Sequence, residues 1–340
     1  MKRTYIIVIA IVVLFLSINV GNSTAGEIQL TYANGYIPWT HKYSPGEVNG
    51  PITFCEIVNK NGSGKVKIDY YGSGQLFKDK DMTSAVPKGS VDMGMTVGSQ
   101  WASIIPGQAV MELPFIYDDD EHFWRAFDGK VGKMLAKEYE KNNVKLLGMM
   151  KNGPFVILTK EKPVTGASLK GLKLRVFGKV PALLTKPVGG SPVFMSSSEF
   201  VLALQRGTVD GLWTTPYGMT GFKLYELTKY AVYLPGTYCS FPIVINLDKW
   251  NSLPDDVKEI LEAAAQETMK RAKTEKWREN HAKEAMDIAV NKGGIKRHIL
   301  TDEELAEWQQ ATKEDVKKEF LKMTGDLGKE LIAAVEEERK

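Results

Sequence analysis

Arg175 is the residue whose placement most invites chemistry. It lies in SLKGLKLRVFGK, residues 168 to 179. A period of two puts Leu172, Leu174 and Val176 on one face and Lys173, Arg175 and Phe177 on the other, which is the pattern of a strand. A guanidinium stays protonated, and burying one without a partner costs several kcal/mol. Such a residue must meet an internal carboxylate, stay solvated at a strand end, or face a cleft that admits an anion. Lys173, nearer the start of the segment, is expected at the surface.

Other reactive constellations fail on spacing. There is no Gly-x-Ser-x-Gly elbow and no His-Glu-x-x-His pair. NKNGSGKV carries a Gly-Lys pair, but Asn59 stands where a phosphate loop needs glycine and Val66 where it needs Ser or Thr. GSGQL lacks the three spaced glycines of a dinucleotide site. Two cysteines and four dispersed histidines do not make a metal cluster. Cys55 and Cys239 sit in apolar runs and read as small core residues rather than a disulfide. No cofactor or metal is expected, and a binding protein is favoured over an enzyme.

The elements that must position Arg175 follow from periodicity. At 340 residues the chain exceeds a single core, so two domains are expected. EIQLTYANG opens as a strand, PITFCEIVNKN as a helix, and KVKIDYYG as a second strand. DMTSAVPKGSVDMGMTVG reads as helix, turn and strand. The acidic run of MELPFIYDDDEHFWRAFDG suits a helix start, with that helix reaching Tyr139, and VKLLGMM is a strand. A second unit begins near Lys151 with FVILT, LKLRVF, the helix and turn of EFVLALQRGTVDGLW, then YAVYLPG and SFPIVINLDKW as strands. This alternation implies α/β domains with largely parallel sheets. A helical pattern from Pro254 to about Asn291 would be ~57 Å long, enough to span both domains. TDEELAEWQQAT opens with a capping box, and helix is expected to near the end.

The first 25 residues have a cationic start, an apolar run from Tyr5 to Leu16, and Ser23-Thr24-Ala25 before Gly26. That is the layout of a secretory signal peptide cleaved after Ala25, since the run is short of the ~20 residues that span a bilayer. Removing Lys2 and Arg3 from the 44 basic residues leaves 42 against 41 acidic ones. Charges are interleaved rather than blocked, so neither nucleic acid nor an anionic membrane surface is an expected partner.

Four stretches together resemble the solute-binding proteins of TRAP (tripartite ATP-independent periplasmic) transporters, the DctP family. They are YYGSGQLFKDKDM, LKGLKLRV, MSSSEFVLALQRGTVDG and VINLDKWNSLPDDVKEIL, in the family's order, and the likeness runs over roughly residues 27 to 335. The resemblance implies a two-lobed periplasmic-binding-protein fold, type II-like, with a long helix across both lobes. Lobe I would comprise residues 26–152 plus about 238–278, and lobe II residues 153–237 plus about 279–335. The function implied is periplasmic capture of a small organic acid by hinge closure and delivery to TRAP permease subunits, by a monomer or weak dimer. Rival readings are a sulfonate or zwitterion receptor, an exported enzyme on the same scaffold, and a sensory partner protein.

By the same resemblance Arg175 is the residue that forks onto a ligand carboxylate with two charge-assisted hydrogen bonds. Phe155 falls where much of the family carries a second arginine. LWTTP, one residue longer than the family's usual segment, replaces an asparagine-bearing wall with Trp213 and Thr214 or Thr215. A ligand with one anionic group and an apolar or aromatic body is therefore expected, with Phe177 as a further wall. Facing candidates come from the loop after the first strand (Asn34, Tyr36, Trp39) and the loop after MGMT (Gln100, Trp101, with Gly98 and Ser99). Tyr238 is another, while His41 reads as a helix-start or surface histidine.

Overall fold

The computed structural model describes residues 26–36, 50–274 and 277–339. Residues 1–25, Trp39 and His41 lie outside them. In the first part, β1 (Ile28–Asn34), α1 (Pro51–Asn61), β2 (Val66–Tyr71), α2 (Met82–Ala85) and β3 (Met93–Met95) alternate. α3 (Gly98–Trp101), α4 (Asp120–Asp128), α5 (Lys130–Glu140) and β4 (Val144–Asn152) follow. Then come β5 (Phe155–Thr159), β6 (Lys173–Val176), α6 (Lys179–Thr185), β7 (Ser191–Phe194), α7 (Phe200–Gln205), β8 (Gly211–Thr214), α8 (Pro216–Gly221) and β9 (Tyr230–Leu234). The chain closes with β10 (Cys239–Asn246), α9 (Leu247–Ser252), α10 (Asp255–Thr274), α11 (Trp277–Gly293), β11 (Lys296–His298), α12 (Asp302–Thr324) and α13 (Asp326–Glu337).

Local chemistry sets these boundaries. Pro51 opens α1, where its missing N–H is no loss. Asp119 caps α4, its carboxylate accepting from the His122 N–H at 2.7 Å. The helix expected to run on to Tyr139 is broken at Gly129, whose backbone (φ −90°, ψ −133°) leaves the helical region between α4 and α5. LDKW belongs to α9 rather than to the preceding strand, because the Asn246 side chain caps it by accepting from the Lys249 N–H at 2.9 Å. The Thr301–Glu304 capping box starts α12.

The strands form two mixed sheets, in the orders β2-β1-β3-β10-β4 and β11-β9-β5-β8-β6-β7. They are not largely parallel as the alternation suggested. β10 runs antiparallel to β3 and β4, and β5 antiparallel to β8 and β9. The cause is the connection between sheets. β4 passes through Gly153 and Pro154 straight into β5, and β9 returns into β10, so two opposed strand pairs cross from one sheet to the other. α10 packs on β4 and α1 of the first sheet, whereas α11 packs on α8 of the second. α12 touches α6 on the second sheet's side and the 3-10 turn Pro106–Glu112 on the first's, so it bridges the two lobes. The fold is a two-lobed α/β architecture with a seam between sheets.

Candidate functional site

β6 lies between β7 and β8, parallel to both, with Arg175 in register with Val193 and Leu212. Leu174 and Val176 point into the core, fully buried, and Lys173 is exposed. Arg175 itself is only 3% exposed. Its Nε donates to the Met195 carbonyl at 3.1 Å and its Nη1 to the Trp213 carbonyl at 3.3 Å. The Phe200 and Phe177 rings lie 4.7 and 5.6 Å from the guanidinium carbon. Nη2 has no hydrogen-bond partner among the described residues. Burial pulls the group down to about 10, with nearby Asp79 opposing that shift, so the cation persists at neutral pH.

That unpartnered nitrogen belongs to a residue lining a cavity at the seam, about 50 Å³ in water-centre volume. Around Arg175 the second sheet's side supplies Phe177, Ser197, Phe200, Thr214, Thr215 and the α8 residues Tyr217 and Gly218. Thr215 caps α8, its hydroxyl oxygen accepting from the Gly218 N–H at 3.3 Å, and also accepts from Asn152 Nδ2 at 3.2 Å. The first sheet's side supplies Tyr36, Val97, Asn152, Cys239 and Phe241. Tyr36 and Phe241 meet edge-on at 5.8 Å. Burial raises the Tyr36 hydroxyl and the Cys239 thiol well above their ordinary ranges, so both stay neutral. Cys55, also buried, is likewise a free thiol.

Of the residues expected at the site, Arg175, Phe177, Thr214, Thr215 and Tyr36 line this cavity. Six others do not. Trp213 points to the opposite face of β8 from Thr214, donates its indole N–H to Thr185 at 2.8 Å and meets Trp308 edge-on; only its carbonyl reaches Arg175. Phe155 is fully buried between Phe177 and Trp213. Trp101 packs in the core against Tyr139. Asn34 is held by the Tyr70 hydroxyl and the Tyr36 N–H. Gln100 lies behind the wall, bonded to Thr96 and Asp79. Tyr238 faces the outer side of the strand crossing, its ring 4.1 Å from the Lys151 ammonium.

Sequence reading missed Ser197, Phe200, Tyr217, Cys239 and Phe241. For the last two a signal existed. Cys239 and Phe241 share one face of β10, while Ser240 turns to the buried Glu112, so alternation along CSFPIVIN separates wall from core.

Two lobes joined by crossing strands meet over a buried and incompletely paired cation. Residues 47–323 match the family model described as bacterial extracellular solute-binding protein, family 7 (DctP), and the chain belongs to that family. Its fold is that of the TRAP periplasmic solute-binding proteins. The C4-dicarboxylate-binding periplasmic protein DctP of Rhodobacter capsulatus is 31% identical over 304 residues, covering 88% of this chain and 89% of that protein. A TRAP periplasmic solute-binding protein from Polaromonas sp. JS666, bound to D-erythronate, is similar at TM-score 0.79 and 25% identity, covering 91% of this chain and 98% of that one. Another, from Desulfovibrio salexigens with bound orotic acid, shares the fold at TM-score 0.83 and 23% identity over 92% and 98% of the two chains. The family is one of extracytoplasmic receptors. No helix among the described residues is long and apolar enough to cross a membrane.

Proposed function

We propose that this protein closes over one small monocarboxylate with an apolar or aromatic body and delivers it to a TRAP permease. The observation that carries the reading is Arg175 Nη2, a buried cationic donor without a partner in a cavity whose wall sets the rings of Phe177, Phe200, Tyr36 and Phe241 beside the uncharged polar groups of Asn152, Ser197, Thr214 and Thr215. No second Lys, Arg or His lines that cavity among the described residues. One carboxylate would complete the guanidinium through a charge-assisted bond. A second carboxylate would have to leave water with no second cation to meet it, which is costly. The ligand would bridge both lobes and stabilise the closed form by its differential contacts. Residues 1–25, read as a cleaved signal peptide, would place the receptor in the periplasm.

Thermal shift and calorimetry with benzoate, phenylacetate, pyroglutamate, benzenesulfonate and succinate test the reading. The monocarboxylates should bind one to one, and succinate at least tenfold more weakly than the best of them. Tighter binding of succinate would overturn the single-anion reading, and preference for benzenesulfonate would move the ligand class to sulfonates.

A further inference from the structure

Asp79 does not line the cavity, yet it joins the cavity's two walls. It is fully buried in a short turn after β2, on the first sheet's side. The Ser197 N–H, from the loop after β7 on the second sheet's side, donates to both of its carboxylate oxygens at 3.2 Å. Gln100 Nε2 donates to Asp79 Oδ2, also at 3.2 Å. Behind Gln100 the chain continues. Thr96 Oγ1 donates to Gln100 Oε1 at 2.5 Å, which leaves the Tyr36 hydroxyl, 3.3 Å away, to donate to Thr96. Every donor therefore points toward the Asp79 carboxylate, an arrangement in which successive bonds polarise one another. Tyr36 and Ser197, its two ends, both line the cavity.

The backbones around this chain approach as closely as they can. Ser197 Oγ donates to the Gly35 carbonyl at 3.2 Å. A Cβ on Gly35 would lie 2.2 Å from the Asp79 nitrogen, and one on Gly178 would lie 2.2 Å from Ser99 Cβ across the seam. At the rim, Lys78 and Lys80 reach Glu199 at 3.4 and 3.6 Å, but these side chains are exposed and such pairs contribute little. The buried carboxylate is the part of the seam whose loss leaves inward donors unsatisfied.

We propose that Asp79 is a positioning residue that ties closure of the lobes to occupation of the cavity, by holding Ser197 of one wall on a hydrogen-bonded chain from Tyr36 of the other. The proposal rests on the solute-closing reading above. Opening separates Asp79 from Ser197 and lets water satisfy both. Removing the carboxylate therefore disfavours the closed form without touching the solute. Apparent affinity scales with the fraction of protein able to close, so each ligand should weaken by the same factor.

The test places nitroxide labels at exposed positions on the two sides, Lys60→Cys and Arg206→Cys, and reads their separation by electron–electron double resonance. Wild type, Asp79→Ala and Asp79→Asn are compared with and without benzoate, pyroglutamate and succinate, and each probe's affinity is measured by calorimetry. Asp79→Ala should deplete the short-distance population and weaken every probe that binds by a common factor of about ten. Asp79→Asn keeps an acceptor for the Ser197 N–H and should fall between Asp79→Ala and wild type. Unchanged distances and affinities in Asp79→Ala would overturn the proposal. So would affinity losses that differ among probes at unchanged distance, or a wild type with no short-distance population in any condition. If no probe binds wild type but Asp79→Ala still depletes the short-distance population, the seam stands and the ligand reading fails.

Discussion

Among the described residues the protein buries two cations beside aromatic rings, Lys151 and Arg175, and they are not equivalent. Lys151, on β4, is 2% exposed, with its ammonium 4.1 Å from the Tyr238 ring centre and paired with Asp120. Arg175, on β6, is 3% exposed and lies 4.7 Å from the Phe200 ring centre, but its Nη2 points at no acceptor. Depth and ring contacts are alike in the two places. The difference lies in how the charge is answered: a carboxylate of the chain for Lys151, and two carbonyl dipoles with a cavity beyond them for Arg175. A buried charge marks a binding site only when the fold leaves part of it unanswered.

The widest gap between the two should appear on truncation. Arg175→Ala should weaken ligand binding by about 3–5 kcal/mol, roughly 150- to 5,000-fold, as read by calorimetry. The same variant should lower the unfolding midpoint of the ligand-free protein only slightly, because the guanidinium bonds to carbonyls alone and Asp79, whose charge favours it from nearby, keeps its own hydrogen bonds. Asp120→Ala should do the reverse. It leaves Lys151 buried without its counter-charge, and urea unfolding should show a loss of about 1–2 kcal/mol, less than for a sealed pair because Asp120 is 46% exposed. Ligand affinity should change by less than threefold. Equal effects of the two substitutions on affinity would erase the distinction.

Glu112 sharpens the comparison as a third solution, a buried acid answered by a proton. Burial pushes its carboxyl up to about 8, although the Ser240 N–H and hydroxyl, which donate to it at 2.9 and 2.7 Å, and Ser99 favour the anion. The folded form therefore holds a proton that the unfolded chain releases near its ordinary value of 4.5. Stability should fall as pH rises from about 4.5 to about 8 and level off above that. Glu112→Gln should flatten this slope in urea unfolding at pH 5, 6.5 and 8. A slope unchanged in the variant would assign it to other groups.

Much of the framework could be read from the sequence, because alternation and capping are local. The strand around Arg175, the Asp119 cap and the Thr301 capping box all follow from neighbouring residues. The walls were less legible. Trp213 and Thr214 were expected on one wall, yet consecutive strand residues face opposite ways, and the same alternation takes Tyr238 away from the cavity while Cys239 enters it. Ser197 and Phe200 join Arg175 at the cavity only because β7 lies beside β6, a pairing fixed by the whole sheet. Sheet direction was misjudged for a related reason. Strands that cross between lobes reverse their sense relative to their neighbours, and nothing within a strand encodes that reversal.

A co-crystal structure with the tightest-binding carboxylate from the panel tests the central claim most directly. The expected result is a carboxylate oxygen about 2.7–2.9 Å from Arg175 Nη2, with the Met195 and Trp213 carbonyls still accepting from Nε and Nη1. A ligand carboxylate bound elsewhere, with Nη2 turned onto a carboxylate of the chain, would contradict it.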